Sequence, residues 1–286
     1  MQAKKKVSVN DVLMMKSNEK ISVLTAYDYS TALICDKAGI DIVLVGDSAG
    51  MVMLGYSSTV PVGMNEMIIF CSAVARGAKR AMIVGDMPFG SYQPNPSVAV
   101  KNAVRLIKAG CNAVKLEGGS EIFDTVKAIV DAGIPVIGHV GLKPQTTSLW
   151  DGYRLQGKTK ESALKLIEDA KTLEKAGVFG IVLEMLASEV AHEITRSISI
   201  PTIGIGSGSG CDGQVLVLHD MLGIYEDIKP RFVKRYAELS KLILDAVSNY
   251  GNEIKAGKFP EESNTFHMSP QELVRFIDEL KKAEKK

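Results

Sequence analysis

The stretch Asp41-Ile42-Val43-Leu44-Val45-Gly46-Asp47-Ser48-Ala49-Gly50 decides how the chain is read. It is an apolar run of strand length, rich in Val and Ile, of the kind that hides both faces. It ends in Gly-Asp-Ser and a glycine-punctuated loop. A strand buried on both faces has no structural use for a carboxylate at its end. In parallel α/β folds, however, the loops leaving the C-terminal strand edges converge on one mouth, and chemistry sits there. The pattern then recurs. Ala81–Val84 leads into Gly85-Asp86, and Asn112–Leu116 into Glu117. Ile134–Gly138 leads into His139, and Phe179–Leu183 into Glu184. One such ending is ordinary; five in order are hard to explain by packing.

Working outward, the same alternation fills the chain. A helix over Ser8–Lys16, capped by Ser8, can plug the N-terminal end of a barrel. Strands are expected at 21–26, 41–46, 81–84, 112–117, 135–138, 179–184, 201–206 and 214–218. Helices are expected at 30–38, 65–76, 96–108, 121–131, 160–176, 188–197 and 231–250, with a tail helix at 270–283. Gly39 stops the first of these and Pro96 opens another. Two connections are long for βα loops. One is 47–63; the other is 140–159, which carries Trp150 beside Asp151-Gly152-Tyr153. Eight strand–helix units argue for a closed (β/α)8 barrel occupying the whole chain, 1–286, as one domain with a helical tail. An open sheet would use the glycines from Gly204 to Gly210 as a dinucleotide fingerprint. They come late, and no helix clearly follows them. In a barrel the same glycines suit an anion site or a tight turn.

Bulk properties exclude several classes of function. The 286 residues are 46% apolar and 23% charged, with a formal charge of +1. That balance gives no field for nucleic acid or anionic membrane. Lys4-Lys5-Lys6 and the lysines of 281–286 read as solvated ends. Cys35, Cys71, Cys111 and Cys211 form no Cys-x-x-Cys pair, against a zinc site or a disulfide framework. No apolar stretch resembles a signal peptide or reaches ~20 residues, the length of a membrane span. A cytoplasmic protein with reduced thiols is expected.

In a barrel, Asp47, Asp86, Glu117, His139 and Glu184 share one mouth. Asp47 and Asp86, on adjacent strands, can share a hard cation such as Mg²⁺, which takes one or two carboxylates, waters and a chelating substrate. Glu117 is a third candidate ligand, through water. Without a cation the three would repel and raise one another's pKa values. Any one of them alone could be a helix cap or a salt-bridge partner. Lys115 lies two residues before Glu117 on the same side of the strand. It can grip a substrate carboxylate, pair with Glu117, or serve as a Schiff-base lysine. Ser48 offers a hydroxyl and an N–H. His139 is a substrate contact or a satisfied core histidine. Glu184, beside Met185-Leu186, is a general base tuned by an apolar surround, or a rim salt bridge. His192, His219 and His267 receive no role. The chemistry this suggests is Mg²⁺-assisted enolisation of an α-keto acid followed by carbanion attack.

The motifs Leu24-Thr25-Ala26-Tyr27-Asp28, Val45-Gly46-Asp47-Ser48, Asp86-Met87-Pro88-Phe89, Val114–Gly119, Gly138–Gln145, Val182-Leu183-Glu184, Ile203–Gly208 and Leu218-His219-Asp220 resemble, in that order, the ketopantoate hydroxymethyltransferase family. The resemblance runs to about residue 268. It implies a barrel of the phosphoenolpyruvate/pyruvate superfamily. It also implies hydroxymethyl transfer from 5,10-methylenetetrahydrofolate to 3-methyl-2-oxobutanoate, giving 2-dehydropantoate for pantothenate biosynthesis. By position, Asp47, Asp86 and Glu117 correspond to the ligands of one Mg²⁺. Asp47, Ser48, Asp86, Lys115 and His139 correspond to the keto-acid site, and Glu184 to the proton acceptor. A homodecamer is implied. Ser57, Ala187 and Asn264-Thr265 depart from the family pattern, all beside rather than on these positions. Two rival readings fit the same residues. One is a lyase or phosphonomutase on the same barrel, although the Lys-Lys-Cys-Gly-His motif of isocitrate lyases is absent. The other is a non-catalytic keto-acid-binding barrel.

Overall fold

The structure is a computed structural model that describes residues 5–147, 154–227 and 229–284. It contains two compact units, Met1–Ala237 and Glu238–Lys286. The first is a closed barrel of eight parallel strands in sequential order. They are β1 (Ile21–Thr25), β2 (Ile42–Val45), β3 (Met82–Asp86), β4 (Ala113–Glu117), β5 (Val136–Gly141), β6 (Gly180–Glu184), β7 (Thr202–Ile205) and β8 (Gly213–Leu216). The expected strand–helix alternation holds from β1 to β7, but 206–212 joins β7 to β8 without a helix, and β8 is followed by the short helix Leu218–Met221.

Alternation along each strand sorts side chains into two cores. Ile42, Leu44, Met82, Val84, Ala113, Ile137, Val182, Ile203 and Val215 pack together inside the barrel. Val43, Val45, Ile83, Val114, Leu116, Ile181 and Leu183 face outward, against Met67, Leu106, Val126, Ile129, Leu173 and Ile194 of the helix layer. Each fully buried aliphatic side chain is worth roughly 1.5–3 kcal/mol of transfer free energy. The interior parity then fixes the site. Counting in twos from Met82, Ala113, Ile137 and Val182 reaches Asp86, Lys115 and Glu117, His139, and Glu184. These are the top of the barrel interior, where apolar layers give way to chemistry.

The helix Val9–Met15 carries the expected Ser8 cap, with the Ser8 hydroxyl accepting from Asp11 N at 3.2 Å. Val12, 1% exposed, joins the inner barrel core, as a bottom plug requires. Asp28, part of a motif noted above, is spent locally. Its carboxylate caps the helix Tyr29–Ala38 through Ser30 N and Thr31 N. The connection after β2 is not wholly irregular, since it includes a short helix, Ala49–Val52.

The helix expected over 231–250 begins instead at Leu239 and runs to Lys255, in the second unit. The reason is tertiary. Tyr236 N donates to Met221 O at 2.8 Å, taking that stretch out of the i→i−4 ladder, and Phe232 turns to the cavity described below. The second unit also contains the helix Pro270–Ala283, capped by Ser269. Trp150 and Asp151-Gly152-Tyr153 lie outside the described residues. Among those described, no helix is long and apolar enough to cross a membrane.

Candidate active site

A cavity of about 710 Å³ opens at the C-terminal end of the barrel. Asp47, Ser48, Asp86, Lys115, Glu117, His139 and Glu184, every candidate read from the sequence, line it. His192, His219 and His267 do not. Strand register brings the groups together, since Asp86 pairs with Lys115 and Glu117 with His139 across neighbouring strands.

Lys115 is the hub. Its Nζ lies 2.7 Å from Asp86 Oδ1, 3.7 Å from Glu117 Oε1 and 3.3 Å from His139 Nδ1. Lysine only donates, so Nδ1 accepts and the imidazole proton sits on Nε2. That N–H faces Glu184 Oε2 at 3.5 Å, slightly beyond a hydrogen bond. Burial drives the His139 pKa well below its ordinary value, and the Lys115 charge adds to the effect. The ring is therefore a neutral donor aimed at Glu184.

Four carboxyls share this space with one lysine. Burial would lower the Lys115 pKa, but the charges of Asp86, Glu117 and Asp47 outweigh it and push it up. Burial and the neighbouring Asp86 raise Asp47 to about 7. Burial also raises Asp86, and lifts Glu117 well above the usual carboxylate range. Glu184 reaches about 8, because burial and the charges of Asp47 and Asp86 overcome the pull of Lys115. The negative charge is under-compensated. Asp86 Oδ1 is buried with no hydrogen bond, only its ion pair to Lys115. Among the described residues, no three His, Cys, Asp or Glu side chains close into a protein-only metal cage. Two adjacent carboxylates with excess negative charge and room for oxygen ligands suit a hard divalent cation that keeps waters and substrate in its shell. By the same standard, a soft or tetrahedral metal is a poor match.

Two residues that the sequence did not single out tie the site together. Gln145, fully buried, donates from Nε2 to Asp47 Oδ2 and to Met87 O, both at 2.9 Å. Its backbone N–H donates to Glu117 Oε2 at 3.1 Å. The Tyr92 hydroxyl lies 2.8 Å from Gln145 Oε1 and 2.9 Å from Glu117 O, and accepts from Glu117 N at 3.2 Å. Gln145 closes the Gly138–Gln145 motif and Tyr92 lies three residues past Phe89, yet no local pattern marks either as a site residue. Tyr27 does the same for Ser48, with their hydroxyls 2.8 Å apart.

The backbone around Glu184 is specialised. Met185 sits at φ 52°, a left-handed conformation that costs a non-glycine residue about 1 kcal/mol or more. It is held by Met185 N to Ile205 O at 2.8 Å and by Gln156 N to Met185 O at 2.7 Å. Opposite it, Gly141 has φ 107°, and a Cβ there would collide with the Glu184 carbonyl and with Leu186. Strain beside a buried carboxyl is a frequent mark of a working site.

The fold is that of the phosphoenolpyruvate mutase/isocitrate lyase barrels. Phosphonopyruvate hydrolase superposes with a TM-score of 0.61 at 12% identity, covering 96% of this chain and 97% of its own. Phosphoenolpyruvate phosphomutase from Streptomyces platensis subsp. rosaceus gives 0.60 at 14%, covering 97% and 98%. 2,3-Dimethylmalate lyase, a member of that superfamily, gives 0.56 at 15%, covering 96% and 97%. These identities speak to fold alone. Sequence goes further. The ketopantoate hydroxymethyltransferase family model matches residues 6–262. The 3-methyl-2-oxobutanoate hydroxymethyltransferase of Nitrosopumilus maritimus is 55% identical over 274 residues, covering 96% of this chain and 98% of the relative. That of Staphylothermus marinus is 54% identical over 271 residues, covering 95% and 100%. The chain belongs to the ketopantoate hydroxymethyltransferase family, a family of hydroxymethyl-transferring enzymes.

Proposed function

We propose that this chain transfers a hydroxymethyl group from 5,10-methylenetetrahydrofolate to 3-methyl-2-oxobutanoate, yielding 2-dehydropantoate and tetrahydrofolate, as the first committed step of pantothenate biosynthesis. The observation that carries this reading is Glu184. It is a carboxyl raised to about 8 on the cavity wall, with a neutral imidazole donor 3.5 Å away and Lys115 and the Asp47–Asp86 pair in the same cavity.

Glu184 takes the proton from the carbon next to the keto group. A carboxylate tuned towards neutral pH is a competent base and stays partly ionised at pH 7. The His139 Nε2–H steadies the ionised form. Lys115 turns its ammonium to the substrate carboxylate, and Ser48, positioned by Tyr27, donates to the same group. Asp47, Asp86 and Glu117 would hold one Mg²⁺, Glu117 through water, and the ion would supply the positive charge that polarises the keto acid. Gln145 keeps Asp47 and Glu117 in place. The substrate carbanion forms a C–C bond to the donor's one-carbon unit, whose two C–N bonds break; water provides the hydroxyl group, and its other proton and the one taken by Glu184 go to the two released nitrogens. The apolar walls limit the access of bulk water to the carbanion. A cytoplasmic location and a homodecameric assembly belong to the same proposal.

The test is proton NMR of 3-methyl-2-oxobutanoate in D₂O with the protein and Mg²⁺, then with EDTA. Loss of the C3–H signal only with metal is expected. If no exchange occurs, even with tetrahydrofolate added, the keto-acid assignment is wrong.

A further inference from the structure

The cavity is larger than its proposed keto acid needs. At about 710 Å³ it falls within the roughly 300–1,000 Å³ typical of sites for drug-sized ligands. A branched five-carbon acid beside Lys115 and Glu184 occupies only its inner end. The outer part is walled by Met51, Leu155, Met185, Tyr225 and Phe232. Phe232 and Met185 meet over Gly206. A Cβ there would lie 2.9 Å from the Phe232 ring and 3.0 Å from the Met185 sulfur, so only glycine lets them form one continuous wall. An aromatic ring beside a thioether is a good face for a flat heterocycle.

Two charged side chains, Asp220 and Arg231, interrupt this apolar wall. Asp220, in the short helix Leu218–Met221 after β8, lines the cavity. Among the described residues no donor is hydrogen-bonded to its carboxylate. It belongs neither to the Lys115 cluster nor to a helix cap. Burial lifts it to about 6 against the pull of Arg235, so at neutral pH it is an anion with unfilled acceptor sites. A half-buried carboxylate in an apolar wall is costly unless something donates to it. The best complement is a planar ring with two parallel N–H groups on one edge, which a carboxylate accepts as a charge-assisted fork.

We propose that Asp220 is the recognition group for the amino-lactam edge of a reduced pteridine, which lies against Phe232 and Met185 in the outer cavity. This assignment rests on the folate-dependent reading above and adds to it the residue that selects the donor. The pteridine end is thereby anchored on the β8 side. The one-carbon unit then points inward, towards the strand ends of β2–β6 that carry the keto-acid groups.

The test is direct binding of tetrahydrofolate to the full-length protein without keto acid, followed by fluorescence. The probes are tetrahydrofolate and its 2-desamino-2-methyl analogue, which lacks one of the two N–H donors. The wild-type protein is expected to prefer tetrahydrofolate by about tenfold or more, the scale of a lost hydrogen bond to a charged group. Asp220→Asn, checked for folding by its thermal melt, is expected to lose that preference and to bind tetrahydrofolate at least tenfold more weakly. Equal affinity for the two probes in the wild type, unchanged tetrahydrofolate affinity in a folded Asp220→Asn, or no tetrahydrofolate binding at all would each overturn the assignment. If the variant does not fold, the wild-type preference alone decides. The C3 exchange measurement on the wild type reads the keto acid itself, so failure of the keto-acid reading is seen separately.

Discussion

Gln145 Nε2 donates to Asp47 Oδ2 at 2.9 Å, joining residues 98 positions apart. The bond sets the orientation of a carboxylate on which the charges of Asp86 and Lys115 also act. The same side chain also bonds Met87 O and Tyr92, and its N–H bonds Glu117.

Gln145→Leu keeps the volume but strands these groups. Leaving a buried acceptor unpaired costs about 1–3 kcal/mol. The variant is expected to lose that much unfolding free energy and so to unfold at lower denaturant concentration. It should also bind Mg²⁺ about 10–100-fold more weakly, the usual scale for losing a group that orients a ligand. Urea melts and Mg²⁺ titration by calorimetry measure both. Wild-type metal affinity in the variant would remove Gln145 from the site.

Glu184→Gln separates activity from stability. C3 exchange is expected to fall about 10²–10⁴-fold, the contribution of a general base. Stability should move the other way. The Glu184 pKa rises from 4.5 to about 8 on folding. Below pH 4.5 the group is protonated in both states and contributes nothing. Between pH 4.5 and 8 the unfolded chain releases a proton that the folded one keeps, so native stability falls as pH rises. The glutamine variant escapes this loss. Its advantage in denaturant melts should be near zero at pH 4.5 and largest near pH 8.

Lys115→Met removes the cation paired with Asp86 and Glu117. The pKa values of Asp86 and Glu117 then rise further above their unfolded values, so the destabilisation must grow with pH. Breaking a buried ion pair costs about 3–5 kcal/mol, and that loss is expected near pH 8 and less of it near pH 5. Urea melts across this range are the check, with KM for the keto acid rising in parallel. A loss independent of pH would mean that the lysine acts only through packing.

Metal binding should be linked to protons. With Asp47 raised to about 7, the site holds a proton through much of the range below neutral. Mg²⁺ must displace it, so affinity falls as pH drops from 7 to 6 and binding at pH 6 releases protons. Calorimetry in two buffers of different ionisation enthalpy counts them. The same ion should raise the melting temperature with concentration, and EDTA should reverse the rise. Asp47→Asn should abolish both effects.

The barrel and the positions of its polar strand ends were legible because strand periodicity is local. Counting in twos from Met82 or Ala113 reaches Asp86 or Glu117 without any tertiary information. The parity of Lys115 with Glu117 followed in the same way. Gln145 and Tyr92 were not legible, since what makes them important is a partner on another strand's loop. Asp28 ends the Leu24–Asp28 motif, but its carboxylate is taken up by Ser30 and Thr31 within one turn. The helix start at 231 failed for the opposite reason. Its sequence suits a helix, but the Tyr236–Met221 bond overrides that preference. Asp220 sits within a recognisable motif, yet only the cavity shows that no donor among the described residues is hydrogen-bonded to its carboxylate.

The working groups come one or two at a time from the C-terminal ends of β2, β3, β4, β5 and β6, and none of these strands carries the base, its imidazole donor and the lysine together. Catalytic competence is therefore a property of the ring rather than of any segment. A fragment carrying half the strands, or a circular permutant that cannot close, should keep no partial activity. Loss of turnover on heating should coincide with opening of the ring, which makes the reaction itself a probe of barrel closure.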